Sequence, residues 1–241
     1  MKKTLLLIVI TFLASFSFSQ KELAKKLIDT LASDAFYGRG YVNNGDKIAA
    51  DYIAKKFKEF GALPVNGDSY FQEYSYPVNT FPTKVEISFD NKTLTTGLDF
   101  IVAPNSGSAK GIFNLKEITL ENYIEVVSKE EFQSDKNLTA FVIKLPKANG
   151  RDEYFKQLKL KNSVADVAPL FVINDEKFTW SVAQEALNYP VIEIKSEFLK
   201  DKKSVTLNIV NKLIANYQTQ NVLGYIPAKR KCKRKKFFVF T

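Results

Sequence analysis

The sequence predicts an α+β chain. Two early segments carry apolar residues at helical spacing, the period changes to two from Tyr70 onward, and one short helical stretch interrupts the strands that follow.

The first element is not part of the fold. Lys2 and Lys3 precede an apolar run from Leu5 to Ala14, which is shorter than the ~20 residues a membrane span needs. Ser17 and Ser19 are small residues at the positions a signal peptidase reads. Residues 1–19 are therefore expected to be a signal peptide, cleaved near Ser19/Gln20, with the mature chain exported to the periplasm or medium. No cysteine follows the apolar run, so a lipid anchor is not expected, and no later stretch is apolar enough to cross a membrane.

Residues 21–33 read as a helix with Leu23, Leu27, Ile28 and Leu31 on one face. Gly38-Arg39-Gly40 breaks the pattern. A second helix spans about 46–60, capped by Asn43 or Asn44 and ended by Gly61, with Ile48, Ala49, Tyr52, Ile53, Phe57 and Phe60 as its apolar stripe. Val85, Ile87 and Phe89 alternate with polar neighbours, and Asp90-Asn91-Lys92 reads as a turn into Thr93–Thr96. Ala103–Ser108 is short, small and polar and reads as a domain boundary. Strands are expected at Gly111–Leu115, Leu138–Leu145, Pro169–Ile173, Pro190–Ile194, Val205–Val210 and Asn221–Ile226, with a helix at Asp152–Leu160 among the earlier ones.

Charge and composition exclude several functions. Lys2 and Lys3, together with seven basic residues between Lys229 and Lys236, account for the whole net charge of +9. The body between them is neutral and offers no electrostatic footprint for nucleic acid. The single Cys232 rules out an internal disulfide, and histidine is absent altogether. Triads built on histidine are thus impossible. A carboxylate pair of Asp34 with Asp46 or Asp51 is conceivable, but surface charges and caps are the expected reading. Gly38-Arg39-Gly40 and Asn44-Gly45-Asp46 are too short for a phosphate loop and read as turns.

Two segments together carry a resemblance. The first runs Leu31-Ala32-Ser33-Asp34, Gly38-Arg39-Gly40, Ala49–Phe57, Gly61-Ala62-Leu63-Pro64 and Tyr70-Phe71-Gln72. The second is Gln220-Asn221-Val222-Leu223-Gly224-Tyr225-Ile226-Pro227. This ordered set resembles the start of exported bacterial zinc aminopeptidases, the leucyl aminopeptidase and glutamate-carboxypeptidase-like group. The resemblance implies opening helices that pack on a catalytic α/β domain, and it makes 221–227 the strand leading into that domain's sheet. The intervening region, with Ala168–Ile173 and Tyr189–Ile194, resembles the protease-associated module inserted in many members. Residues 105–160 match poorly.

The implied organisation is a signal peptide at 1–19 and an N-terminal segment of a peptidase domain at 20–104. A mostly β protease-associated-like module follows at 105–215, then the first strand of the catalytic core at 216–227 and a basic tail outside the family pattern at 228–241. Intact relatives are implied to hold two zinc ions, on histidines and carboxylates that come after this strand, and to remove N-terminal residues by attack of zinc-bound water with a glutamate as base. Here Pro227 is followed by Ala228 and the basic run. No cofactor and no catalytic or metal-binding residue is therefore expected in this chain. The expected reading is an inactive N-terminal part of such an enzyme. The alternative is a free-standing exported module that binds peptides or proteins, the expected partners in either case. The tail reads as sequence left by a frameshift or early stop, with contact to an anionic membrane surface as the other reading. The strand at 221–226 is expected to lack sheet neighbours, and the two helices to expose their stripes.

Overall fold

A computed structural model describes residues 20–128, 138–227 and 236–240. The signal segment 1–19, Cys232 and the basic residues 229–235 lie outside the described residues. In chain order the helices are α1 (20–31), α2 (Gly45–Glu59), α3 (Tyr123–Val127) and α4 (Arg151–Ala165). The strands are β1 (Leu63–Pro64), β2 (Phe71–Thr80), β3 (Glu86–Phe89), β4 (Lys92–Thr93), β5 (Phe100–Val102), β6 (Ala109–Glu117), β7 (Thr139–Ile143), β8 (Leu170–Ile173), β9 (Val191–Ile194), β10 (Ser204–Ile209), β11 (Lys212–Ile226) and β12 (Lys236–Phe240). The α+β class holds. The described residues divide into two compact units, one made of those up to Ser75 and from Gln218 onward, the other of those between Tyr76 and Tyr217.

In the first unit, α2 starts at Gly45 because the chain must come very close there. A Cβ on Gly45 would lie 2.4 Å from the Phe36 carbonyl oxygen and 2.9 Å from that of Gly40. Asn44 occupies the cap position, but in the left-handed region and without a side-chain capping bond, contrary to the capping read from sequence. Gly61, at φ +77°, ends the helix as expected, with the Ala62 N–H bonding back to the Phe57 carbonyl. The buried face of α2 is Gly45, Ala49, Ala50 and Ala54, while Ile48 and Phe60 are exposed. The sequence stripe was thus displaced toward larger residues; the small ones are buried because they let β11 approach. Ala50 and Ala54 pack on Val222, with Ile53, Phe57, Tyr70 and Phe71 around them. Gly224 belongs to the same contact, since a Cβ there would meet the Phe57 ring at 2.6 Å. Helix α1 buries no residue, and Leu23 and Ile28 face solvent.

The strand read at 221–226 is the end of the much longer β11, and it does not lack neighbours. It pairs with β1 through Leu63 and Pro64, with β2, and antiparallel with β12, Val222 opposite Phe240 and Ile226 opposite Lys236. Its backbone groups find these partners within the chain itself.

The second unit is built on an eight-stranded mixed sheet in the order β4-β3-β10-β6-β7-β8-β9-β5. Strands β6 to β9 run parallel, and the flanking pairs are antiparallel. A module read as mostly β therefore contains parallel strands, with α3 and α4 in the connections between them. Strands β7, β8 and β9 are near-continuous apolar runs because both faces are buried, whereas β6 exposes Lys110, Asn114 and Lys116. Ala140 and Val142 of β7, Phe171 of β8, and Ile192 and Ile194 of β9 face one cluster. Phe141, Ile143, Leu170, Val172 and Val191 face the other, covered by Leu160, Val164 and Ala165 of α4.

The first cluster also takes Ile87 and Phe89 of β3, Phe100 and Val102 of β5, and Val205, Leu207 and Ile209 of β10. Strands β3 and β8 are four positions apart, about 19 Å in a flat sheet at ~4.8 Å per strand. Yet the rings of Phe89 and Phe171 have centroids 6.4 Å apart. The sheet must curl around this core. Residues 103–108, read as a boundary, lie inside this unit, and Ser106 is fully buried. Small polar composition there reflects a tight buried turn rather than a linker.

Candidate functional site

The polar groups that sequence singled out do not converge. Asp34 and Asp51 are exposed on separate elements. Asp46 accepts the Thr219 hydroxyl at 2.8 Å, a bond that ties the start of α2 to β11. Arg39 donates from Nη1 to the carbonyl of Leu31 at 2.6 Å, so Gly38-Arg39-Gly40 closes the end of α1. Tyr37, Gly38 and Arg39 all have positive φ, the mark of a tight turn.

Zinc in hydrolytic sites needs imidazole and carboxylate ligands gathered around one point. The sequence has no histidine, and among the described residues no three His, Cys, Asp or Glu side chains come together. The described residues gather no such ligand set.

The carboxylates with depressed pKa values serve structure. The backbone N–H and hydroxyl of Ser196 hold the Asp175 carboxyl below its ordinary value, with Lys144 and Lys195 adding smaller pulls. Asn208, and then Lys84, do the same for Glu86, which joins β3 to β10.

Among the concavities of the described residues is a cleft of about 870 Å³ within the second unit, inside the ~300–1,000 Å³ range of ligand clefts. One wall is the 179–185 segment. The other is α4, through Tyr154, Leu158 and Lys161, and the floor is Ala103-Pro104-Asn105 with Pro77 and Glu193. The floor is rigid for an identifiable reason. Asn79, fully buried, donates through Nδ2 to the carbonyls of Pro104 at 2.9 Å and Ser106 at 2.8 Å. Its backbone N–H bonds the Ala183 carbonyl at 2.9 Å, and the Leu187 N–H bonds the Asn105 carbonyl at 2.7 Å. Ser106 Oγ makes two bonds to the backbone of Val191, and a Cβ on Gly107 would come within 2.2 Å of the Leu187 carbonyl oxygen.

Sequence reasoning missed this cleft. Its signal lay in residues 174–190, which join β8 to β9 without regular structure and exceed the ~12–15 residues beyond which loops are commonly functional. The only tryptophan of the chain sits there, with Val182 two positions on, and both are exposed, at 63% and 59%.

No protein-family model matches the chain, and no curated protein matches it in sequence. Solved structures do. The zinc aminopeptidase BSAP from Bacillus subtilis matches with a TM-score of 0.50 at 16% identity, over 78% of this chain and 43% of that one. The peptidase M28 precursor from Shewanella amazonensis SB2B matches with a TM-score of 0.49 at 11% identity, over 88% and 55%. The aminopeptidase from Aneurinibacillus sp. strain AM-1 gives 0.45 at 13% identity, over 78% and 44%. The match to BSAP gives the chain a fold related to that of a zinc aminopeptidase, and the chain spans about half the length of these neighbours.

Proposed function

We propose that this chain supplies the opening segment and an inserted protease-associated-like module of an exported zinc-aminopeptidase-like protein, and that by itself it hydrolyses no peptide bond. The observation that carries the reading is the discontinuous first unit. The chain leaves it after Ser75 and returns at Gln218, with the curled-sheet unit inserted between. That is the order expected from the resemblance, in which the helices and the Asn221 strand belong to one domain and the module interrupts it. The similarity to BSAP supports the peptidase relationship. The missing histidine supports inactivity, because a bound water is activated only where ligands hold the metal.

Incubation of the purified chain with leucine p-nitroanilide and added zinc tests this reading. The expected result is no turnover and no stoichiometric zinc after dialysis. Chelator-sensitive turnover would overturn it. Export is tested separately by sequencing the N-terminus of protein recovered outside the cytoplasm, which should begin at or next to Gln20; an intact Met1 would exclude cleavage.

A further inference from the structure

We infer that the cleft between residues 179–185, α4 and the 103–105 floor is a docking groove for an extended peptide segment bearing basic side chains. This goes beyond the proposed function and does not depend on it, since the groove lies wholly within the inserted unit and requires no metal.

The first support is the open backbone. Among the described residues, the N–H and C=O groups of Thr179, Trp180, Ser181 and Val182 have no hydrogen-bond partner within the chain. A peptide laid along them would gain main-chain bonds in the manner of an added strand. The stretch is held in place at Ala183 by Asn79 and just beyond it by the Leu187–Asn105 bond, so little ordering is left for the moment of binding.

The second support is the pairing of apolar surface with that backbone. Val182 and Tyr154 line the cleft while 59% and 53% exposed, with Leu158 beside Tyr154 on the α4 wall and Pro77 and Pro104 in the floor. Such surface beside unpaired backbone suits alternate apolar side chains of an extended segment.

The third is charge. The ionisable side chains of the lining are Glu185, Glu193 and Lys161, besides the phenol of Tyr154. Glu193 accepts from Asn174 at 2.7 Å, whereas Glu185 is exposed and makes no ion pair among the described residues. The two carboxylates outnumber the Lys161 ammonium, so the lining carries a net negative charge, and a basic side chain would meet the available Glu185.

Occupancy is read by isothermal titration calorimetry, because the ring of Trp180 lies beside Gly97 and does not line the cleft. The test titrates the full chain with a blocked Val-Lys-Val-Lys-Val-Lys peptide, the matching Val-Glu peptide, and the lysine peptide N-methylated at alternate amides. The expected result is a saturable heat signal with the lysine peptide and at least about tenfold weaker binding of the other two, because like charge and lost backbone pairing each penalise docking. Glu185→Gln should narrow the gap between the lysine and glutamate peptides. No saturable heat signal, equal binding of the lysine and glutamate peptides, or indifference to N-methylation would overturn the groove. None of these readings involves hydrolysis, so they stand apart from the nitroanilide assay.

Discussion

The side-chain amide of Asn211 donates to Oδ1 of Asn79 at 2.9 Å, and through Asn79 the turn after β10 is joined to the floor of the cleft. Asn79 is fully buried, and its side chain serves the Pro104 and Ser106 carbonyls on its other side. Asn79→Ala leaves these groups without partners in a place water does not reach. A loss of about 2–3 kcal/mol is expected in urea unfolding, the usual cost of stranding buried polar groups. Asn79→Asp should be worse, since a carboxylate would then face two carbonyl oxygens. An aspartate variant as stable as the wild type would show that Asn79 is not the tie described here.

Gly107 and Gly40 separate crowding from chain freedom. A Cβ at Gly107 would meet backbone oxygens of Leu187 and Asn188 at 2.2 and 2.3 Å, and backbone cannot swing aside as a side-chain tip can. Gly107→Ala should cost about 3 kcal/mol or more, or abolish folding. Around Gly40 there is open space and its φ is −100°, so Gly40→Ala should be neutral or slightly stabilising by restricting the unfolded chain. Thermal unfolding of the two variants measures both. Equal melting temperatures would contradict the close approach at 107.

What the sequence disclosed follows from how local each feature is. Gly61 ends α2 and Asp90-Asn91 turns the chain between β3 and β4, with both residues at positive φ, because turn chemistry acts within a few residues. The buried strands β7, β8 and β9 were legible as apolar runs. Their parallel pairing was not, since a run buried on both faces reads alike in either direction. The burial of Ala50 and Ala54 in place of Ile48 and Phe60 depends on how closely β11 approaches, a long-range fact set by Gly224. The cleft was hidden for the same reason, being assembled from three separated segments held by Asn79.

Acid should weaken the fold, while the neutral range should leave it unchanged. Glu86 and Asp175 have folded pKa values below their ordinary 4.5 and 3.8. A depressed carboxyl contributes stability that is fully present above the unfolded value and is lost as pH falls through the folded one. Histidine, the side chain that ordinarily titrates near neutrality, is absent. The melting temperature should therefore be flat between about pH 5.5 and 7 and decline below about pH 4.5. Glu86→Gln should flatten part of that decline. A transition centred near pH 6.5 would require a titrating group that this account does not contain.

The inserted unit should fold alone when cut at 76 and 217, and fail when cut at 105 and 215. Residues 76–104 supply β3 and β5, and with them Ile87, Phe89, Phe100 and Val102 of the core inside the curled sheet. They also supply Asn79, without which the 103–108 turn and Asn211 lose their buried partner. Removing them uncovers one face of β8 and β9, including Phe171, Ile192 and Ile194, all fully buried. Each such side chain returned to water costs ~1.5–3 kcal/mol, so the three together forfeit about 4.5–9 kcal/mol, comparable with the ~5–15 kcal/mol that holds a domain together. The 76–217 fragment should melt in one cooperative transition followed by circular dichroism, while the 105–215 fragment should show none and should bind a hydrophobic dye. A cooperative transition in the shorter fragment would mean that the small polar stretch at 103–108 marks a real division after all, and that β3 and β5 are attachments to the module instead of part of its core.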